Sequence, residues 1–199
     1  MKTFFIILAA VGILFILLQS YIVMSSTNTE EQKYSVIEKD NDFEIRLYPP
    51  ATFATIKSTA KTYKDLSGPG FRKLAGYIFG GNAAETKIAM TAPVHMDLND
   101  TVSSMSFVMP SNYSEANLPQ PNDTNISVHK TNEEYVAALR FGGFVSDHDL
   151  EINTAKLKRI LAEKGITYYG NFRFLGYNPP YQLFGRRNEI IVSIEWGKK

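Results

Sequence analysis

The stretch EYVAALRFGGFVSDHDLEINTAKLKRILAEKG, Glu134 to Gly165, decides the fold because its periodicity changes partway along. EYVAALRFGGF reads as a strand, and Asp149 to Lys164 reads as a helix that Gly165 closes. Between them, Ser146 to Asp149 offers two carboxylates and a histidine, which invites a metal reading. Neighbours in a row diverge around a helix or strand, so one ion cannot easily take all three. A helix start explains them more simply: Ser146 or Asp147 caps the free amides, and Asp149 with Glu151 complements the helix dipole. Two strands follow, NFRFLGYNPP and NEIIVSIEW.

Working outward, the first half has the same order. ATFATIKSTA is a strand, and after Ser67 a helix is expected to open with Pro69 in its first turn, where a missing amide costs nothing. Its apolar face is Phe71, Leu74, Ala75, Ile78 and Phe79, stopped by Gly80-Gly81. KIAMTAPVHM and SMSFVMP are the two strands after it. A hairpin, YSVIEK and FEIRLY around Asp40-Asn41-Asp42, comes before. The expectation is an α+β fold: a duplicated βαββ unit forming a curved or distorted barrel-like sheet, with two outer helices and a ligand cleft along the pseudo-twofold.

At the N-terminus, Lys2 is followed by no charge from Phe4 to Met24. About 20 helical residues span a ~30 Å hydrocarbon layer, and Leu18-Gln19-Ser20 is a poor signal-cleavage site. Residues 1–25 are therefore expected to be a membrane anchor or signal segment, 26–33 a polar tether, and 34–197 the folded domain. Lys2 before the segment and Glu30 and Glu31 after it put the domain outside the cytoplasm, or secreted if the segment is cleaved. A formal charge of +1 with scattered lysines and arginines gives no footprint for nucleic acid. Without cysteine there are no disulfides, thiol nucleophiles or Cys-ligated metals.

Four motifs in order, KIAMTAPV, SFVMPSNY with LPQP after it, RFGGF and YNPPYQLFGRRNEIIVSI, resemble those of the SOUL haem-binding protein family from about Tyr34 to Trp196. The resemblance implies an α+β fold of two βαββ repeats, related to gyrase-inhibitor-like effector-binding domains, and haem or another tetrapyrrole as ligand for some members. No catalytic residues are agreed for the family. The implied function is non-enzymatic tetrapyrrole binding, for buffering or transfer.

That resemblance supplies the site candidates. Family members that hold haem without a fixed ligand do so against an apolar patch by the first helix, with basic side chains at the propionates. Gly68, Gly76 and Gln182 stand here where basic residues are expected, and Arg72 and Lys73 with Arg186 or Arg187 are the substitutes. The haem-binding candidates are thus Phe71, Arg72, Lys73, Tyr77, Tyr181 and Arg186. His95 has methionines at Met90 and Met96, and such side chains are familiar haem ligands. Strand alternation turns Met96 with Met90 toward the core and His95 the other way, to solvent or a loop edge. Histidine ligands of the family sit near the N-terminal strands, where KYSVIEKDNDFEIRLYPP has none. His129, on a predicted strand, has no partner in the sequence and stays unassigned. The alternative site is the cleft, where Glu189, with Tyr177 nearby, would meet a cationic ligand or act as a base in hydrolysis, or else pair with Arg186 or Arg187.

Overall fold

The computed structural model describes residues 1–197. Along the chain run α1 (Lys2–Thr27), β1 (Glu30–Glu31), β2 (Ser35–Asp40), β3 (Phe43–Tyr48), β4 (Thr52–Ser58), α2 (Tyr63–Ile78), β5 (Thr91–Ala92), β6 (Val94–Asp97) and β7 (Ser103–Val108). They are followed by β8 (Ile126–Lys130), β9 (Glu134–Phe141), α3 (Asp147–Glu163), β10 (Tyr168–Gly176) and β11 (Asn188–Ile194). Nine strands form one antiparallel sheet in the order β2-β3-β9-β11-β10-β6-β7-β4-β8, and β1 pairs with β5 in parallel beside it.

The inner six strands are ordered symmetrically about the β6–β10 pair. From that seam outward, one side runs β6-β7-β4 and the other β10-β11-β9, so that in each half the strand before the helix lies farthest from the seam. Beyond them lie β8 on one side and β3 with β2 on the other.

The sheet stays open, which corrects the barrel-like expectation. Closure would need β2 and β8 to exchange backbone hydrogen bonds, and they are opposite ends of the sheet. All six β2 residues are exposed, and Glu38, Lys39 and Asp40 put charge on that strand, a common defence of a free edge.

Alternation then divides the sheet into two faces. One packs Ile45, Phe107, Leu139, Phe174 and Ile190 under α2 and α3, whose Leu66, Leu74, Leu157 and Leu161 are fully buried. At roughly 25 cal/mol per Å² of apolar surface, this larger cluster holds the domain together. The second face carries a smaller apolar group, Tyr48, Ala92, Val136, Leu175, Tyr177 and Ile191, with polar side chains set among them.

Helix α2 begins earlier than expected. Thr62 caps it by accepting from the Asp65 amide, so Pro69 lies in its second turn and not its first. The Thr62-x-x-Asp65 pattern is the signal that marked this start. Helix α2 packs closely on β7 and β4 at Gly70, where a Cβ would stand 3.0 Å from the Met105 side chain and 3.3 Å from that of Ile56. Helix α3 begins at Asp147, two residues before the expected Asp149, with Ser146 as its cap as expected and a capping box formed with Asp149. Residues 30–32, expected to be part of a tether, are instead docked, through the β1–β5 pairing and a hydrogen bond from the Gln32 amide to the Ala92 carbonyl.

Candidate functional site

The polar residues of the second face lie on one line across the sheet. Arg140 pairs with Glu189, Glu189 with Leu175, Leu175 with His95, and His95 with Ser106. Strand spacing of about 4.8 Å puts two strand widths, roughly 10 Å, between Glu189 and His95. They form no acid–base pair.

Glu189 has no exposed surface, and its carboxylate is saturated by the protein itself. Arg46 donates two hydrogen bonds to it, at 2.6 and 2.9 Å. Arg187 donates another at 3.0 Å and the Tyr177 hydroxyl a fourth at 2.8 Å. Burial alone would raise the Glu189 pKa; the hydrogen bonds and charge of Arg46, then the charge of Arg187, outweigh it and hold the carboxyl below its usual range. Burial is likewise opposed at Arg46, whose pKa is raised by its bonds to Glu189, while burial pushes Tyr48 up to about 12.

The charges continue outward in alternating sign. Arg46 also meets Glu44, and Glu44 meets Lys39; on the other side Arg187 meets Glu31 of the docked N-terminal segment. Tyr34 lies 4.2 Å from the Arg46 guanidinium and Tyr177 3.7 Å from that of Arg187, so both cations are also covered by rings. The mouth above this network, about 290 Å³, is lined by Tyr34 and otherwise by charged and amide side chains. Such walls suit small polar molecules and offer a macrocycle little apolar surface beyond the Tyr34 ring.

His95 is 7% exposed, which corrects the expectation of a solvent-facing residue. Alternation holds, since Met96 faces the helix-covered core. The opposite side is covered by residues 30–32, the docked part of the expected tether. The neutral imidazole donates from Nε2 to Gln32 Oε1 at 2.8 Å, and its ring edge meets Phe53. Burial, and then the charge of Arg173, pushes its pKa down to about 3. The bond to Gln32 leaves Nδ1 as the unprotonated nitrogen, so it is the burial of the ring, and not the hydrogen bond, that keeps a macrocycle away from it. His129 is exposed on β8 and stacks on the other side of this group, against Phe53.

The haem-binding candidates fall in three places. Phe71, 37% exposed, leans on Phe107 at one flank of α2, and Arg72 is exposed beside it on the outermost line. On that line Gly68 and Gly76, one turn before and after Arg72, have nothing within 4 Å of where a Cβ would stand, so the helix surface there is flat. Lys73 projects from the other flank, where its charge acts on Asp123. Tyr77 is 1% exposed with its hydroxyl donating to the Pro119 carbonyl, a core position with no face for a ligand. Tyr181 and Arg186 belong to the β10–β11 loop: Tyr181 is exposed, while Arg186 donates to the carbonyls of Pro179 and Gln182 and sits over Phe144.

Arg46, Tyr48 and Tyr34 were not anticipated. FEIRLY held the signal, because its alternation sets Glu44, Arg46 and Tyr48 on one face while Phe43 and Ile45 enter the core.

Residues 29–193 match the SOUL heme-binding protein family. Heme-binding protein 1 of Xenopus laevis is 31% identical over 172 residues, 82% of this chain and 90% of that protein. The chain belongs to the SOUL heme-binding protein family. Heme-binding protein 2 of Mus musculus is 30% identical over 156 residues, 74% of this chain and 76% of that protein. Among solved structures, the EcmrR C-terminal domain superimposes with a TM-score of 0.55 at 11% identity, covering 81% of this chain and 98% of that one, a likeness of fold alone. The family match begins at residue 29, so α1 lies outside it.

Proposed function

We propose that this SOUL-family chain binds haem or a related tetrapyrrole without catalysing a reaction on it, holding the ligand on the outer surface of α2, and that α1 tethers the domain to a membrane for haem buffering or transfer. The match of residues 29–193 to a heme-binding family carries the reading. Geometry favours the α2 surface over the cleft: Glu189 already has Arg46 and Arg187 as its cations, whereas Phe71 and Arg72 offer an exposed ring beside a cation that makes no ion pair among the described residues. A flat surface of this kind holds a porphyrin by apolar contact, with Arg72 at a propionate.

The tether rests on α1 (residues 2–27), whose most apolar run of 18 residues has a mean hydropathy of 2.6. Lys2 precedes the apolar run and the next charges are Glu30 and Glu31, an arrangement that leaves the domain outside the cytoplasm. A second reading, small-molecule binding or hydrolysis in the cleft through Glu189, has the 290 Å³ mouth in its favour. Hemin added to the full chain in detergent, against a detergent blank, is expected to give a saturable Soret shift. No shift beyond the blank would sink the haem reading.

A further inference from the structure

The β10–β11 loop carries side chains that the domain does not bury. Tyr181 and Phe184 are each 63% exposed, Leu183 is 41% exposed, and Phe144 beside them, under the Arg186 guanidinium, is 58% exposed. Four large apolar side chains in one place call for a partner.

The loop is fastened to α1. Gln19, buried although it belongs to the apolar helix, donates from its amide to the Tyr181 carbonyl and accepts from the Leu183 amide. About two helical turns further on, Ser26 donates to the Gln182 side chain. Gln19, Ile22, Val23 and Ser26 are the inward-facing residues of α1, at helical spacing, while Phe4 to Leu18 are exposed around the whole helix. Charge is absent until Glu30, so the apolar run continues past Gln19 to about Val23. Four residues at about 1.5 Å each put the Gln19 level roughly 6 Å inside the end of that run.

Part of the loop backbone is also satisfied from within the protein. Pro179 and Pro180 have no amide hydrogens to satisfy. Arg186 takes the carbonyls of Asn178, Pro179 and Gln182, the Gln182 side chain donates to the Phe184 carbonyl, and Gln19 serves Tyr181 and Leu183. Each group satisfied in this way lowers the cost of leaving water at the headgroup boundary, although the buried Arg186 Nε has no hydrogen-bond partner among the described residues.

We infer that the Tyr181–Phe184 loop, with Phe144, is seated in the bilayer beside the exit of α1, at the boundary between headgroups and acyl chains. The inference rests on the proposed anchoring by α1. It makes the domain a body held at the lipid surface in one orientation, with the β10–β11 loop down, and not one swinging on a tether. Depths of roughly 5–10 Å are usual for apolar side chains at this boundary.

The chain has no cysteine, so single labels are clean. In the full-length protein in phosphatidylcholine vesicles, an environment-sensitive fluorophore is placed at Phe184→Cys, at Leu14→Cys in mid-α1, or at Arg159→Cys on the exposed side of α3. The quenchers are lipids with a nitroxide near the headgroup end or near the methyl end of the acyl chain. Labels at 14 and 184 are expected to lose most of their emission, with the shallow nitroxide more effective at 184 and the deep one at 14, while 159 keeps its emission. Quenching at 14 without quenching at 184 overturns the seated loop and leaves the anchor standing. Quenching at neither site overturns the anchor reading, and the loop proposal with it.

Discussion

Replacing Glu189 by glutamine removes the one anion that Arg46 and Arg187 share. Both guanidinium groups lie within 3.0 Å of that carboxylate. In the variant each keeps a single outer acid, Glu44 for Arg46 and Glu31 for Arg187, and the Glu31 side chain is 45% exposed. Breaking a buried pair by removing one partner costs about 3–5 kcal/mol, because the other charge stays behind uncompensated. The amide can still accept one hydrogen bond from Arg46, so the loss belongs near the low end, about 3 kcal/mol. For a domain of this size that lowers Tm by roughly 6–12 °C.

The pH dependence has a definite sign. The folded pKa of Glu189 lies below its ordinary value of 4.5, so its contribution is present above that value and is lost as pH falls through the folded one. The stability difference between the parent and Glu189→Gln should therefore be constant near neutrality and narrow on acidification below 4.5. Urea unfolding followed by circular dichroism at several pH values measures both effects. A neutral-pH cost below about 1 kcal/mol, the worth of an exposed ion pair, would refute the sealed-cleft reasoning.

The remaining predictions are more local. His95→Ala should leave hemin affinity within about threefold, roughly 0.7 kcal/mol; a hundredfold loss with loss of a low-spin spectrum would make His95 a ligand. The folded pKa of His95, about 3, is below its ordinary 6.5, so stability should decline as pH falls below 6.5. That decline is at most about 1.4 kcal/mol per pH unit for one proton, and it should be absent from His95→Leu. Changing Arg72 and Lys73 together to glutamate should weaken hemin binding about tenfold, with added salt reproducing part of the loss. Arg72→Glu alone should carry most of it, because Lys73 lies on the other flank. Removing residues 1–27 should leave a domain with native-like circular dichroism, whereas removing 1–33 also takes away Gln32 and should cost a further 1–3 kcal/mol or so for the unpaired His95 imidazole.

The order of strands and helices was legible because each element carries its own period and punctuation. Gly80 and Gly165, both with positive φ, end α2 and α3 where the sequence places those ends. Openness of the sheet was not legible, since it depends on which strands meet at the edges and neither β2 nor β8 announces its neighbours. The candidate site was readable in type and not in pairing. Glu189 was expected either to meet a ligand or to pair with Arg186 or Arg187; Arg187 does bond it, but the larger partner is Arg46, 143 residues away in sequence. His95 was misjudged for a related reason: alternation fixes which face a side chain takes and says nothing about what covers that face. The cover is the segment at residues 30–32, whose polar composition reads as linker although Gln32 uses its amide for Ala92 and its side chain for His95.

Hemin titration of the parent, of Phe71→Ser/Arg72→Glu and of Glu189→Gln, at a temperature where all three are folded, decides whether the ligand sits on α2 or in the cleft. The expected result is a saturable Soret complex for the parent, weakened about tenfold or more, at least 1.4 kcal/mol, by the α2 double change and unaltered by Glu189→Gln. Binding that survives the α2 change and disappears with Glu189→Gln would contradict the account and move the ligand into the cleft.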